Sequence, residues 1–217
     1  MSKKRLNSYV LLEIIGVILI AISILYATYA HLRIENRKEN ILDAKDEFIS
    51  APKIENEKIE NADLNLEVIE KDEKPVLKEE AIAYIEIPSL ELVLPIFNST
   101  SKEALYFGTG LLDQTDYPSS LTNTTAVIAG HRGGYNGEQT FRYIDQLGEG
   151  DEIIITTKTE VLTYVFSSKL IIEKNDWSHF TREEDKTKLI LLTCHPYPQN
   201  YQRLIVQCEL IENKNIN

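Results

Sequence analysis

Three residues spread along the C-terminal half of the chain carry side chains suited to acyl transfer: Cys194, His131 and Arg203. A thiolate attacks carbonyl carbon readily, and such chemistry needs a neighbour that moves protons. Cys194 ends the apolar run Leu189-Ile190-Leu191-Leu192-Thr193 and precedes His195-Pro196-Tyr197-Pro198. A strand that hands a thiol to a proline-rich loop sets it near solvent. Free cysteine also serves as a small buried hydrophobe, so Cys194 alone does not define a nucleophile. His131 follows an apolar run and Gly130, and precedes Arg132-Gly133-Gly134. A histidine at a strand end beside glycines is held by backbone, exposed, and open to a substrate chain. Arg203 opens another apolar run nine residues after Cys194, where a hairpin returns it to the same rim. Its planar, permanently charged guanidinium suits a carbonyl oxygen that gains negative charge. On an acidic protein it could equally be a surface cation.

The other candidates fit less well. His195 adjoins Cys194, but successive strand residues point to opposite faces, so the pair cannot converge on one reacting atom while the strand persists. His195 is therefore expected as a loop or substrate-side contact. His179 lies in a polar segment with no matching partner. Cys208 sits inside the apolar run 203–211, where a small buried side chain is the expected role. Two cysteines are too few for a disulfide scaffold, although a Cys194 to Cys208 pairing stays open.

The elements that must position these residues are short and rich in Ile, Val, Leu and Tyr. Strands are expected over 81–87, 91–97, 125–129, 151–157, 161–166, 170–173, 188–194 and 203–211. Turn residues bound them, including Pro88-Ser89, the glycines from 108 to 110, Asn136-Gly137 and the stretch 196–200. Many short strands separated by turn signals predict an all-β barrel or sandwich. Residues 140–147 are expected to form a turn or two of helix.

The N-terminal third reads differently. Residues 9–30 form an apolar run long enough to cross a bilayer as a helix, which takes about 20 residues. A cleaved signal sequence would have a shorter apolar core, and Thr28-Tyr29-Ala30 is a poor cleavage site. Lys3, Lys4 and Arg5 favour a cytoplasmic N-terminus, while Arg33, Arg37, Lys38 and Lys45 follow the span and oppose that bias. The stretch 35–80 is acidic, with 15 Asp/Glu against 8 Lys/Arg, and lacks glycine. A short amphipathic helix is conceivable near 34–49; the part around 53–78 is too polar to bury much surface and reads as a solvated stalk or a cover for the site. The chain is thus divided into a cytoplasmic end at 1–8, a membrane anchor at 9–30, an extracytoplasmic stalk at 31–80 and a catalytic domain at 81–217. A formal charge of −11 supplies no basic footprint, which excludes nucleic acid as the main partner.

With these residues in place, the chain resembles the sortases from about Ala81 to Leu210. Tyr84-Ile85-Glu86-Ile87-Pro88 followed by Leu94-Pro95-Ile96 is similar to the family's first barrel hairpin. Ala129-Gly130-His131-Arg132 resembles the segment that carries the catalytic histidine. Leu191-Leu192-Thr193-Cys194 with Arg203-Leu204-Ile205-Val206 is similar to the family's cysteine box and its returning arginine strand. Ile190 stands where the family usually has a threonine.

The resemblance implies a closed eight-stranded β-barrel with short helices behind one transmembrane helix. It implies catalysis by Cys194, His131 and Arg203, with Thr193, Ala129 and His195 near the substrate. The implied reaction cleaves an LPxTG-like C-terminal sorting signal of a secreted protein through a thioacyl enzyme. An amine of a peptidoglycan precursor or a pilin lysine then takes the acyl group. No metal or organic cofactor is needed for that chemistry, and the catalytic domain would face outward from a Gram-positive-type cell membrane. The Cys194 to Arg203 spacing and the Cys-x-Pro-Tyr run are similar to the pilin-polymerising branch, class C. The stretch 35–80 lacks that branch's Asp-Pro-aromatic lid, and the chain ends on a polar tail, which favours the housekeeping branch, class A. Two other classes compete. An L,D-transpeptidase would set its cysteine in a His-Gly-Cys context, absent around Cys194. A membrane-tethered β-barrel binding module would carry an inert thiol there.

Overall fold

The structure, a computed structural model, describes residues 8–51, 79–133 and 140–216. The polar part of the expected stalk at 53–78 and the Asn136-Gly137 turn lie outside the described residues. The chain divides into two compact units, Met1–Leu42 and Asp43–Asn217. The first is helical: α1 (Ser8–Ser50) starts in the expected apolar run and is long and apolar enough to cross a membrane. Its large side chains, among them Leu12, Val17, Ile20 and Leu25, are exposed, as a lipid-facing helix requires.

The second unit is a closed barrel. Its strands are β1 (Ala81–Ile87), β2 (Leu92–Phe97), β3 (Thr109–Leu111), β4 (Thr124–Ala129), β5 (Glu152–Thr157), β6 (Glu160–Glu173), β7 (Thr187–His195) and β8 (Gln202–Asn215). They close in the order β1-β2-β3-β4-β7-β8-β6-β5. The β2–β3 and β4–β7 pairs are parallel, and the other pairs are antiparallel. The helix α2 (Lys102–Phe107) and a 3-10 helix at Phe141–Gln146 fill connections.

Two strands depart from the expectation. β3 occupies residues read as a turn; three residues are too few to show an alternating pattern. The two runs at 161–166 and 170–173 are one strand, β6. Between them the register against β8 shifts at Phe166/Ser168, and the Ser168 hydroxyl lies 3.0 Å from Gln207 Oε1. A bulge absorbs the polar residues that look like a break.

Alternation explains the core. Ile85 and Ile87 of β1, Leu94 and Ile96 of β2, Ala126 and Ile128 of β4, Leu189 and Leu191 of β7, and Leu204 and Val206 of β8 fill the barrel. The residues between them in the last three strands, Val127, Ile190 and Ile205, form a second buried cluster with Ile172, against which Leu112, Phe180 and Leu192 pack. The strand carrying Cys194 is apolar on successive residues because both of its faces are covered.

The last two turns of α1 belong to the barrel unit, within the region read as stalk. Lys45 Nζ pairs with Glu86 Oε2 of β1 at 2.7 Å. Phe48 is 8% exposed, packs edge-on against Tyr84 with ring centroids 5.3 Å apart, and receives Lys158 Nζ over its ring at 4.2 Å. Burial, helped by the Glu47 carboxylate, raises the Tyr84 pKa. Phe48→Ala is therefore expected to destabilise the barrel unit by about 3 kcal/mol. For a unit of this size that lowers Tm by roughly 6–12 °C, which thermal unfolding followed by circular dichroism will measure. An unchanged Tm would show that residues 43–50 contribute nothing to the barrel.

Candidate active site

The second cluster leads straight to the site. On β4, Val127 and Ala129 share the outer face, and His131 follows two residues on. On β7, Ile190, Leu192 and Cys194 form the same row, and on β8 Ile205 and Arg203 do. Register makes these rows neighbours: Ala129 is opposite Leu192, Leu192 opposite Ile205, and Cys194 opposite Arg203. Each row is apolar where it is buried and becomes chemical where it reaches the barrel rim.

The rows end at a cleft of about 340 Å³ whose lining includes His131, Cys194, Arg203, Thr193 and Ala129. Its walls are Leu112, Ile172, Leu192 and Phe180, with Trp177 and the polar residues Lys174, Asn175 and Asp176 from the β6–β7 connection. Trp177 is 58% exposed and meets Phe180 edge-on at 5.7 Å. Sequence reasoning missed this wall. Its available signal was the chain's one tryptophan set in a polar connection.

Backbone contacts hold His131 beside Cys194. The Gly130 amide donates to the Leu192 carbonyl at 3.0 Å, which carries the β4–β7 pairing one residue further. The buried Thr193 hydroxyl donates to the Gly130 carbonyl at 2.7 Å. The Phe141 amide donates to the His131 carbonyl at 2.9 Å. A Cβ on Gly130 would sit 2.7 Å from the Phe141 ring, so this glycine serves close packing. His131 reaches solvent at the rim, yet the cleft walls around it desolvate the ring and push its pKa below the usual 6.5. Arg203 Nη1 donates to the carbonyls of Gln202 at 2.8 Å and Asn200 at 3.2 Å, which orients the guanidinium at the start of β8.

His195 is not part of this lining. β7 persists through His195, so its side chain faces away from that of Cys194, and its Nδ1 lies 3.0 Å from Arg132 Nη1. His179 has a local partner, Asp176, with Nε2 3.5 Å from the carboxylate. Both cysteines are free; Cys208 is fully buried, and burial pushes its thiol pKa up to about 12. Cys194 is half-buried. Among the described residues, no group of three His, Cys, Asp or Glu side chains is placed to hold a metal.

Barrel and cleft together define a β-barrel protein organised around a cysteine, a histidine and an arginine at one rim. The chain belongs to the sortase family: residues 85–211 match the model of the sortase domain. It is 31% identical over 118 residues to Sortase D of Bacillus subtilis (strain 168), covering 54% of this chain. It is 29% identical over 134 residues to Sortase A of Streptococcus agalactiae serotype III (strain NEM316), covering 59% of this chain. The chain spans about half the length of these two relatives, 56% and 52%. The crystal structure of sortase C-3 from Streptococcus pneumoniae superposes with a TM-score of 0.61 at 26% identity, covering 88% of this chain and 91% of that one.

Proposed function

We propose that the chain is a membrane-anchored cysteine transpeptidase. It cleaves an LPxTG-like sorting signal near the C-terminus of a secreted protein and transfers that protein to a cell-wall amine. The observation that carries this reading is the meeting of Cys194, His131 and Arg203 at one cleft, at the ends of neighbouring outer rows.

The apolar walls receive the hydrophobic side chains of an extended peptide, with its scissile carbonyl beside Cys194. His131 rests as neutral imidazole at neutral pH, because burial lowers its pKa, and takes the thiol proton. The thiolate then attacks the carbonyl carbon. Arg203 stabilises the oxyanion, a charge that exists only as the tetrahedral species forms. Imidazolium returns the proton to the departing amine, leaving a thioester on Cys194. An incoming amine attacks the thioester, gives its proton to His131, and expels the thiolate.

The Cys194 to Arg203 spacing and the Cys-x-Pro-Tyr run, similar to the pilin-polymerising branch, together with the likeness to sortase C-3, support a second reading, in which the acceptor is a lysine of another protein subunit and the product is a pilin polymer. One experiment tests both. Incubation with an LPxTG-type peptide and either a short glycine amine or a lysine side-chain amine, read by mass spectrometry, is expected to give the thioacyl enzyme and one transfer product. Glycine transfer supports the cell-wall role, and lysine transfer supports the polymerising one. A peptide left intact would rule out both.

A further inference from the structure

Arg132 follows His131 directly and is 9% exposed. Its Nη1 lies 3.0 Å from His195 Nδ1, and its Nη2 lies 3.0 Å from Asp145 Oδ2. A guanidinium has only donors, so the first contact is a hydrogen bond when His195 Nδ1 accepts, with the ring proton on Nε2. Arg132 thereby joins three elements: the turn after β4, the 3-10 helix that holds Asp145, and the last residue of β7. The neighbouring loop packs at the same place. A Cβ on Gly133 would come within 2.3 Å of the Tyr197 ring, and the Arg142 guanidinium stacks on that ring at 4.7 Å.

We propose that Arg132 is a positioning residue, whose bridge between Asp145 and His195 sets the separation of His131 and Cys194. The inference rests on the reading of Cys194 and His131 as the reacting pair. Both residues of the Arg132–His195 contact adjoin a reacting residue: Arg132 follows His131, and His195 follows Cys194. Alternation puts Cys194 on the cleft face and His195 on the opposite one, so the bridge pulls the two segments together without obstructing substrate. A buried guanidinium needs partners for its donors, which makes displacement of either arm unfavourable. Gly130 and Thr193 fix the His131 backbone from the strand side, and the Arg132 bridge fixes it from the far side.

Single-turnover acylation by a sorting-signal peptide tests this in the full-length protein, using Arg132→Lys, His195→Ala, their double variant, and His195→Asn. A misplacement of about 1 Å costs up to roughly 100-fold, so His195→Ala and Arg132→Lys are expected to slow acylation about 10–100-fold. KM should stay within about twofold, because the bridge does not touch the cleft. The double variant is expected to be no slower than the worse single one, since both break one link. His195→Asn places an amide oxygen near the position of Nδ1 and should recover most of the rate. A merely structural role would give no such rescue. If Arg132→Lys fails to fold, the comparison of His195→Ala with His195→Asn decides the question. Additive losses, a loss confined to KM, or equal rates for the Ala and Asn variants would each overturn the proposal. Cys194→Ala in the same assay separates the two ideas. Continued acylation by that variant overturns the reading of the site, whereas a silent Cys194→Ala beside a full-speed His195→Ala overturns only the bridge.

Discussion

Cys194→Ala is expected to abolish thioacyl formation and to lower turnover by at least about 10⁴-fold, the scale seen when an enzyme loses its nucleophile. No other thiol can replace it. Cys208 points into the barrel opposite Leu189, is fully buried, and has its thiol pKa pushed up to about 12 by that burial. Such a thiol stays protonated and beyond the reach of substrate. Cys208→Ala is therefore expected to keep its acylation rate while losing some stability. Intact-mass measurement of each variant after exposure to peptide reads the result directly. A thioacyl adduct on Cys208, or equal inactivation of both variants, would contradict the assignment. A thiol-directed reagent adds a second reading: modification should occur at Cys194 and be blocked by peptide. An inert binding module would leave both thiols unmodified.

His131→Ala is expected to reduce acylation about 10²–10⁴-fold, the usual contribution of a general acid or base. The pH profile makes the prediction specific. Burial favours neutral imidazole and moves the His131 pKa below 6.5. The neutral form, which accepts the thiol proton in the proposed mechanism, therefore survives to lower pH than it would in an unfolded chain. The acidic limb of kcat/KM in the wild-type protein is accordingly expected below pH 6.5, and that limb should vanish in His131→Ala. The same sign applies to stability: as pH falls through 6.5, the unfolded chain takes up a proton that the partly desolvated ring resists, and folding weakens. A folded His131→Ala variant with wild-type acylation would remove His131 from the chemistry. His195→Ala, acting through position alone, is expected to lose less than His131→Ala and to keep the acidic limb.

Much of the barrel was legible because most of its strands are short apolar runs set between turn residues. The run Ala81–Ile87 is short, apolar and closed by Pro88-Ser89, and it is a strand over the expected residues. β7 reads as apolar on successive residues, which already implies that both of its faces are covered. The three candidate residues were legible for a related reason. Each stands where an apolar run meets glycine, proline or a polar loop, and such places are the rims of sheets. Alternation also separated Cys194 from His195, and the structure has their side chains on opposite faces of β7. The apolar run from Tyr9 likewise announced a helix long enough to span a bilayer.

What the sequence alone determined is therefore the short apolar runs that become strands, the all-β class, the apolar N-terminal helix, and the family motifs around His131, Cys194 and Arg203. Only the tertiary structure decided which strands lie side by side. The parallel pairing of β4 with β7 joins segments some sixty residues apart and is set by closure of the whole barrel. No local periodicity encodes it. That pairing brings His131 to the rim where Cys194 and Arg203 already meet, and it creates the link from Arg132 to His195. The wall formed by Trp177 and Phe180, the three-residue strand β3, the bulge that unites β6, and the packing of Phe48 on Tyr84 were equally hidden. Each depends on a partner distant in the chain, and a side chain carries no record of its partner until the barrel closes around it.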